Sequence, residues 1–211
     1  MTRQTSPGRR GRKYDQVLEG ARRIFLKDGF DNANVDDIAK EAGVSKATLY
    51  SYFPDKRLLF IEIARSECRA QAEAARQFVL PDLPAKELLT AAARRMVQNL
   101  SSPLVVSMFR LAAAEANRFP DLAQAFYEAG PQMARTKIAA FLRDATAAGE
   151  LNVDDPELAA DQFIEMCKAR IMPKLLFGII EAVPAAEGEH IADEAVKTFL
   201  CRYGVPAKAP A

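Results

Sequence analysis

Apolar residues recur along this chain at three- and four-residue intervals, and no segment alternates over the length of a strand. That periodicity predicts an all-α fold of about nine helices. A first helix over about Lys13–Lys27 places Val17, Leu18, Ala21, Ile24 and Phe25 on one face, with Gly29 ending it. Val35, Ile38, Ala39 and Ala42 line one side of a short second helix, and Leu49 and Phe53 are the inward anchors of a third, Lys46–Ser51. Asp55 opens a fourth helix reaching about Phe78 and carrying Leu58, Leu59, Ile61, Ile63 and Ala64; Pro81 and Pro84 then mark a boundary. Further helices are expected over Ala85–Leu100, from Pro103 through Asn117, and from Pro120 to near Gly149 with an interruption at Gly130-Pro131. Asp155-Pro156 is a cap followed by a first-turn proline and starts an eighth helix, which Pro173 should kink or divide. A last helix runs from near Glu187 to before Gly204.

The most specific stretch is Asn34–Lys56, NVDDIAKEAGVSKATLYSYFPDK. Asn34 is a cap, because its side-chain oxygen can accept from a free first-turn amide, and Asp36 and Asp37 suit the positive end of the helix dipole. Ala39 is small enough for a crossing helix to approach. Gly43 permits the left-handed turn that other residues resist, and Val44 plugs its inside. Ser45 caps the next helix, although Thr48 stands where a capping box would have Glu or Gln. Two short helices across a tight glycine turn form a helix-turn-helix, whose second helix enters the DNA major groove. On its outer face Lys46 and Thr48 are candidates to hydrogen-bond base edges or phosphate, and Ala47 can meet a thymine methyl. Ser45, Tyr50 and Tyr52 are placed to hold phosphates, which set register without reading sequence; the alternative for both tyrosines is core packing with exposed hydroxyls.

The run I-A-x-x-A-G-V-S-x-A-T-L-Y-x-Y-F-x-x-K (Ile38–Lys56) resembles the signature of the TetR family of bacterial transcriptional repressors, and ARRIFLKDGF (Ala21–Phe30) resembles the end of that family's first helix. One departure is Ala33-Asn34, where the family often has Thr or Ser; Asn34 can still cap, with a changed phosphate contact. Ser102–Pro131 and Ala147–Cys167 resemble a C-terminal domain type common in the family. The resemblance implies residues 1–55 as a DNA-binding domain and 56–211 as a helical effector-binding and dimerisation domain. It also implies that Lys56, opening the fourth helix, reaches a backbone phosphate. It implies a homodimer on an approximately palindromic operator, released by a small, largely apolar effector.

Composition is that of an ordinary soluble chain: 211 residues, 49% hydrophobic and 27% charged. A net charge of only +1 argues against nucleic acid, but its distribution points the other way: residues 1–57 balance at +4 and the remainder at −3. Arg3, Arg9, Arg10, Arg12 and Lys13 face no acid within the first thirteen residues. Such an arm is either a solvated tail or, beside a helix-turn-helix, a DNA-tracking element; Arg10, Arg12 and Lys13 are its candidate contacts. No apolar stretch reaches membrane-spanning length, and no export signal follows the basic start, so a cytoplasmic protein with no membrane partner is expected. Cys68, Cys167 and Cys201 are odd in number and widely spaced, and His190 is the lone histidine. The expectation is reduced packing thiols, no metal and no cofactor.

Effector and dimer residues are less legible. Met96, Leu100, Met108, Phe109, Phe119, Phe126, Met133, Phe163 and Met166 are candidates to line an apolar cavity, against plain core packing. Glu115 and Arg170 each interrupt an apolar helical stretch, Arg170 sharing a face with Phe163, Cys167 and Ile171, and should be paired or meet a polar ligand group. By analogy with the family, Phe163, Ile164, Cys167, Ile171, Leu175, Val196, Phe199 and Leu200 form the dimer surface, against intrachain core. An enzyme is disfavoured: the chain has no glycine-rich phosphate loop, nucleophile elbow or metal-ligand spacing. A ligand-independent DNA-binding protein and an activator stay open.

Overall fold

Several helix starts in this chain fall where a side chain accepts from a free first-turn amide or a proline removes one. In the computed structural model, which describes residues 11–63, 65–66 and 83–205, Asn34 Oδ1 accepts from Asp36 N at 2.9 Å and Ser45 Oγ from Thr48 N at 3.1 Å. Ser102 and Asp155 do the same for Val105 and Leu158, each followed by a proline in the first turn, where a missing N–H costs nothing. The resulting elements are α1 (Arg12–Asn32), α2 (Val35–Glu41), α3 (Lys46–Tyr52) and α4 (56–63, continuing at 65–66). They are followed by α5 (Ala85–Leu100), α6 (Pro103–Glu115), α7 (Pro120–Tyr127), α8 (Met133–Ala147), α9 (Pro156–Lys168), α10 (Met172–Leu176) and α11 (Ala185–Tyr203). Among the described residues there is no strand, only an isolated antiparallel bridge between Leu151 and Gly204, so the fold is all α as the periodicity predicts. The far end of the fourth helix, Cys68 and the arm up to Arg10 lie outside the described residues.

Three irregularities refine the expected boundaries. Gly29 breaks the α geometry inside α1 with φ +74°, and the chain makes one more turn before α2. Gly130-Pro131 interrupts the α-helix as expected, without ending the helical path: the chain widens into a π-helical segment (Glu128–Gln132) between α7 and α8, which accommodates a residue that has no N–H and crowds the preceding turn. Pro173 does not itself divide a helix. The break comes earlier, where Ala169 is extended and Arg170 adopts a left-handed φ of +68°; Pro173 then sits in the first turn of α10.

The helices enclose two apolar cores. One is built by α1 to α4 (Val17, Phe25, Ile38, Leu49, Leu59, Ile63) together with Leu104, Met108 and Leu111 of α6 and Leu122 of α7. The other gathers α5, α8, α9, α10 and α11 around Leu89, Leu142, Phe163, Leu175 and Phe199, with the Phe163 and Phe199 rings edge to face at 5.2 Å. Val106 reaches this second core from α6, so among the described residues α6 alone lends buried side chains to both. Packing of the N-terminal helices thus extends past residue 55 into α4, α6 and α7. Cys167 is closed inside the second core, where burial pushes its thiol up to about 12. Cys201, expected as a packing thiol, is exposed instead, because it falls on the outer side of α11 beyond the inward Phe199.

Candidate nucleic-acid interface

The turn between α2 and α3 is set by backbone chemistry. Gly43 has φ +64°, its N–H donates to Lys40 O at 3.1 Å, and Val44 N–H donates to Ala39 O at 3.0 Å. These paired bonds are a Schellman closure, which needs a residue tolerant of the left-handed region at the glycine. Ser45 caps α3 immediately, and its hydroxyl also shares a 2.8 Å hydrogen bond with Thr48 Oγ1. The threonine that departs from the capping box therefore reinforces the cap.

Leu49, 1% exposed, and Phe53, 6%, pin the inner side of α3. The outward positions are Lys46, Ala47, Tyr50, Ser51 and Tyr52, with both tyrosines near 40% exposed. A seven-residue helix held on one side and open on the other, with a small and polar outer face, is shaped to meet a polar partner. A Cβ on Gly20 would lie 2.7–2.9 Å from the backbone and Cβ of Ala42, so α1 and α2 cross in contact only because residue 20 is glycine. Sequence reasoning assigns the close approach to Ala39; the available signal is a glycine within an otherwise regular helix.

The candidate contacts divide into those in one place and those apart. Asn34, Tyr50 and Lys56 line a single shallow groove with Asn32, Ala33, Val35, Pro54 and Asp55. Lys56 Nζ donates to Phe30 O at 2.8 Å and Ala33 O at 3.2 Å, and lies 4.5 Å from the centroid of the Phe30 ring. It thus ties the start of α4 to the carbonyls ending α1. Tyr52 packs edge to face on Tyr14 at 5.7 Å. Arg12 and Lys13 occupy the exposed first turn of α1. Lys46 Nζ lies 2.8 Å from Asp36 Oδ1 across the turn, and that hydrogen bond holds the ammonium above the usual lysine range. No local spacing rule joins residues 36 and 46, so sequence reasoning misses the pair.

Behind this face, Asp55 accepts from the backbone N–H of Arg57 at 2.8 Å and from its Nε at 2.7 Å, which holds its carboxyl below the usual carboxylate range. The Arg57 guanidinium stacks 3.5 Å from the centroid of Phe119, at the junction of α6 and α7. Glu115, a pocket candidate from sequence, is half-buried at the end of α6.

The other effector candidates do not converge. Phe163 is fully enclosed in the second core while Met108 belongs to the first, and Leu100 is buried. Met96 and Met166 are half-buried against the second core, Phe126 against the first, and Phe109 stacks on Phe126 at 5.0 Å. Met133 is half-buried at the start of α8. Arg170 is exposed at the break after α9 and shares no helical face with Phe163 and Cys167, because the helix has already ended. The dimer candidates need a similar correction. Cys167, Ile171, Leu175, Val196 and Phe199 are buried in the protomer's own core; only Ile164 and Leu200 reach the surface in part. The periodicity that marks apolar positions marks the inward face first, and that face packs α9 against α11.

Comparison with known proteins bears on this arrangement. Residues 17–63 match the family model of the bacterial regulatory proteins of the tetR family, and residues 87–205 match the C-terminal domain of AefR-like transcriptional repressors. The chain belongs to the TetR family. Among solved TetR-like structures, a Mesorhizobium loti protein assigned to the TetR-family transcriptional regulators is 30% identical, with a TM-score of 0.83 over 92% of this chain and 98% of that one. The flavonoid-responsive regulator FrrA is 36% identical, with a TM-score of 0.67 over 93% of this chain and 100% of that one. The transcriptional repressor AcnR of Corynebacterium diphtheriae is 34% identical over 61 residues, 29% of this chain and 32% of that protein. The match to this curated relative thus spans about a third of its length. The helix-turn-helix is the DNA-binding part of a TetR-family transcriptional regulator, and among the described residues no helix is long and apolar enough to cross a membrane.

Proposed function

We propose that this TetR-family chain is a homodimeric repressor that binds a two-fold symmetric operator through α3 and leaves it when a small, largely apolar effector binds the C-terminal helices. The observation that carries the reading is the asymmetry of α3, pinned by Leu49 and Phe53 on one side and offering Lys46, Ala47 and Tyr50 on the other. Lys46, Ala47 and Thr48 are assigned to base edges, with Thr48 turning its hydroxyl away from Ser45 to do so. Ser45, Tyr52 and the groove of Asn34, Tyr50 and Lys56 are assigned to phosphates, and Arg10, Arg12 and Lys13 to the adjoining duplex. Residues 1–55 and 56–211 are the DNA-binding and effector halves of this scheme. Of the dimer candidates on α9 and α11, Ile164 and Leu200 remain available to a partner copy. A small-molecule response is supported by the flavonoid-responsive relative, 36% identical over nearly the whole chain.

A short helix reads few base pairs, so two readers roughly 34–36 Å apart, or a multiple, are required. Selection of bound duplexes from a random pool should return two half-sites related by a dyad, and enrichment without two-fold symmetry would sink the homodimer. Release of the selected duplex in a screen of apolar and aromatic compounds tests the effector half, and no release by any compound argues for a ligand-independent binder. Lys56→Ala should weaken binding to selected and random duplexes alike and reduce the log–log salt slope by about 0.9, the value for one phosphate. An unchanged slope removes Lys56 from the phosphate set.

A further inference from the structure

The helix-turn-helix neutralises the one cation of its own reading helix. α3 is KATLYSY, with Lys46 its sole basic residue, and Lys46 Nζ rests 2.8 Å from the Asp36 carboxylate on the first turn of α2. Asp36 is itself fixed in place, since its backbone N–H donates to the capping Asn34 at 2.9 Å. Both partners of the pair are about half exposed, so the carboxylate stands on the same open side of the motif as the lysine. From Val35 to Tyr52 the other charges are Asp37, Lys40 and Glu41, and the stretch as a whole carries more acid than base.

Attraction to DNA of arbitrary sequence is driven by phosphate neutralisation and scales with the number of free cations brought to the backbone. A lysine already held by a carboxylate contributes little to that term. To engage DNA it must exchange the carboxylate for another acceptor, leaving Asp36 near the phosphates. A single phosphate oxygen offers little over the carboxylate it replaces. The paired acceptors O6 and N7 of a guanine edge, reached with the rest of α3 in register, do offer more. We propose that Asp36 is a specificity-determining residue: it withholds Lys46 from random DNA and releases it to a matching base edge. The inference rests on the reading of α3 as the base-contacting helix.

The test uses fluorescence anisotropy on the full chain, with a random-sequence duplex and a duplex selected by the wild-type protein. Asp36→Asn should bind the random duplex roughly three- to tenfold more tightly, with a log–log salt slope steeper by about 0.9 because one more phosphate is engaged. Its preference for the selected duplex should fall by a similar factor. Asp37→Asn makes the same charge change one residue along and should give a clearly smaller gain. In Asp36→Asn combined with Lys46→Ala the gain should vanish. Persistence of the gain without Lys46, or an equal gain in Asp37→Asn, would show general charge repulsion and overturn the proposal. Weaker binding by Asp36→Asn to both duplexes, with an unchanged far-UV spectrum, would overturn it as well. If the wild type selects no sequence at all, it is the base-reading role of α3 that fails, which is a different result from either.

Discussion

The two cores of this protein contain similar residues and are legible to very different degrees. The N-terminal one holds the short helices α2 and α3 and the start of α4, whose ends are set by named local features: Asn34, the Gly43 turn, Ser45, Asp55. In the C-terminal one the helices meet through inward stripes of Leu, Ala, Phe and Val that many sequences would satisfy. What differs is the share of structure fixed by local bonds rather than by collective packing. The orientation of a reading helix has to be defined to within a hydrogen bond, whereas an apolar core tolerates any set of about the right volume.

The largest test of that contrast compares Leu49→Ala with Phe163→Ala, both nearly inaccessible in the native fold. Leu→Ala in such a site costs about 2–5 kcal/mol and Phe→Ala about 3–5 kcal/mol, so urea unfolding should show losses of similar size. The functional outcomes should separate. Leu49→Ala removes the inner anchor of α3 and should abolish DNA binding even where the protein is folded, while Phe163→Ala should bind DNA normally per folded molecule. Because α6 packs into both cores, hydrogen exchange in either variant should show α3 and α9 losing protection together. Two separate transitions would show that α6 does not couple them.

Next in size is the crossing of α1 and α2. Gly20→Ala places a Cβ inside contact distance of Ala42 backbone, and overpacking of this kind costs about 1–3 kcal/mol. The loss should come with weaker DNA binding, since α2 carries the cap and turn that orient α3. A Cβ at Gly43 meets no neighbour, so there the cost is conformational alone, about 1–2 kcal/mol from the left-handed φ. Thermal unfolding of the two variants separates a steric glycine from a conformational one. Equal losses with equal effects on DNA binding would remove the distinction.

These residues also show where sequence reasoning stops. Gly43, Asn34 and Ser45 act on neighbours within five positions, and so do Pro103, Pro120 and Pro156, which is why the turn, the caps and most helix starts can be read directly. Gly20 acts on Ala42, Asp36 on Lys46, Lys56 on Phe30 and Arg57 on Phe119, contacts that exist only once helices have been placed in space. The break at Ala169-Arg170 is hidden by a proline three residues on, a stronger local signal that in fact starts a helix. For α9 and α11 the apolar stripe is visible, but the stripe belongs to the protomer's core, and a surface for a partner must be sought on positions the pattern does not mark.

The smallest effect lies at the start of α4, where Asp55 and Arg57 form an ion pair that is about one-third exposed. The side-chain hydrogen bond from Arg57 holds the Asp55 carboxyl below its ordinary value of 3.8. A carboxyl depressed in the folded state contributes stability that is present above its unfolded pKa and is lost as pH falls through the folded value. Stability should therefore decline below about pH 4, and for a pair this exposed the share of Asp55 should stay within about 1 kcal/mol. Asp55→Asn should flatten that part of the acid limb while leaving stability near pH 7 lower by a similar small amount. Since Arg57 also stacks on Phe119, the same variant frees the guanidinium from one of its two anchors, whereas Arg57→Lys keeps a cation for Asp55 and should lose the planar stack on Phe119. If urea titrations between pH 5 and pH 2.5 give superimposable curves for the wild type and Asp55→Asn, the pair does not hold α4, and the stacking on Phe119 is what joins the reading domain to α6.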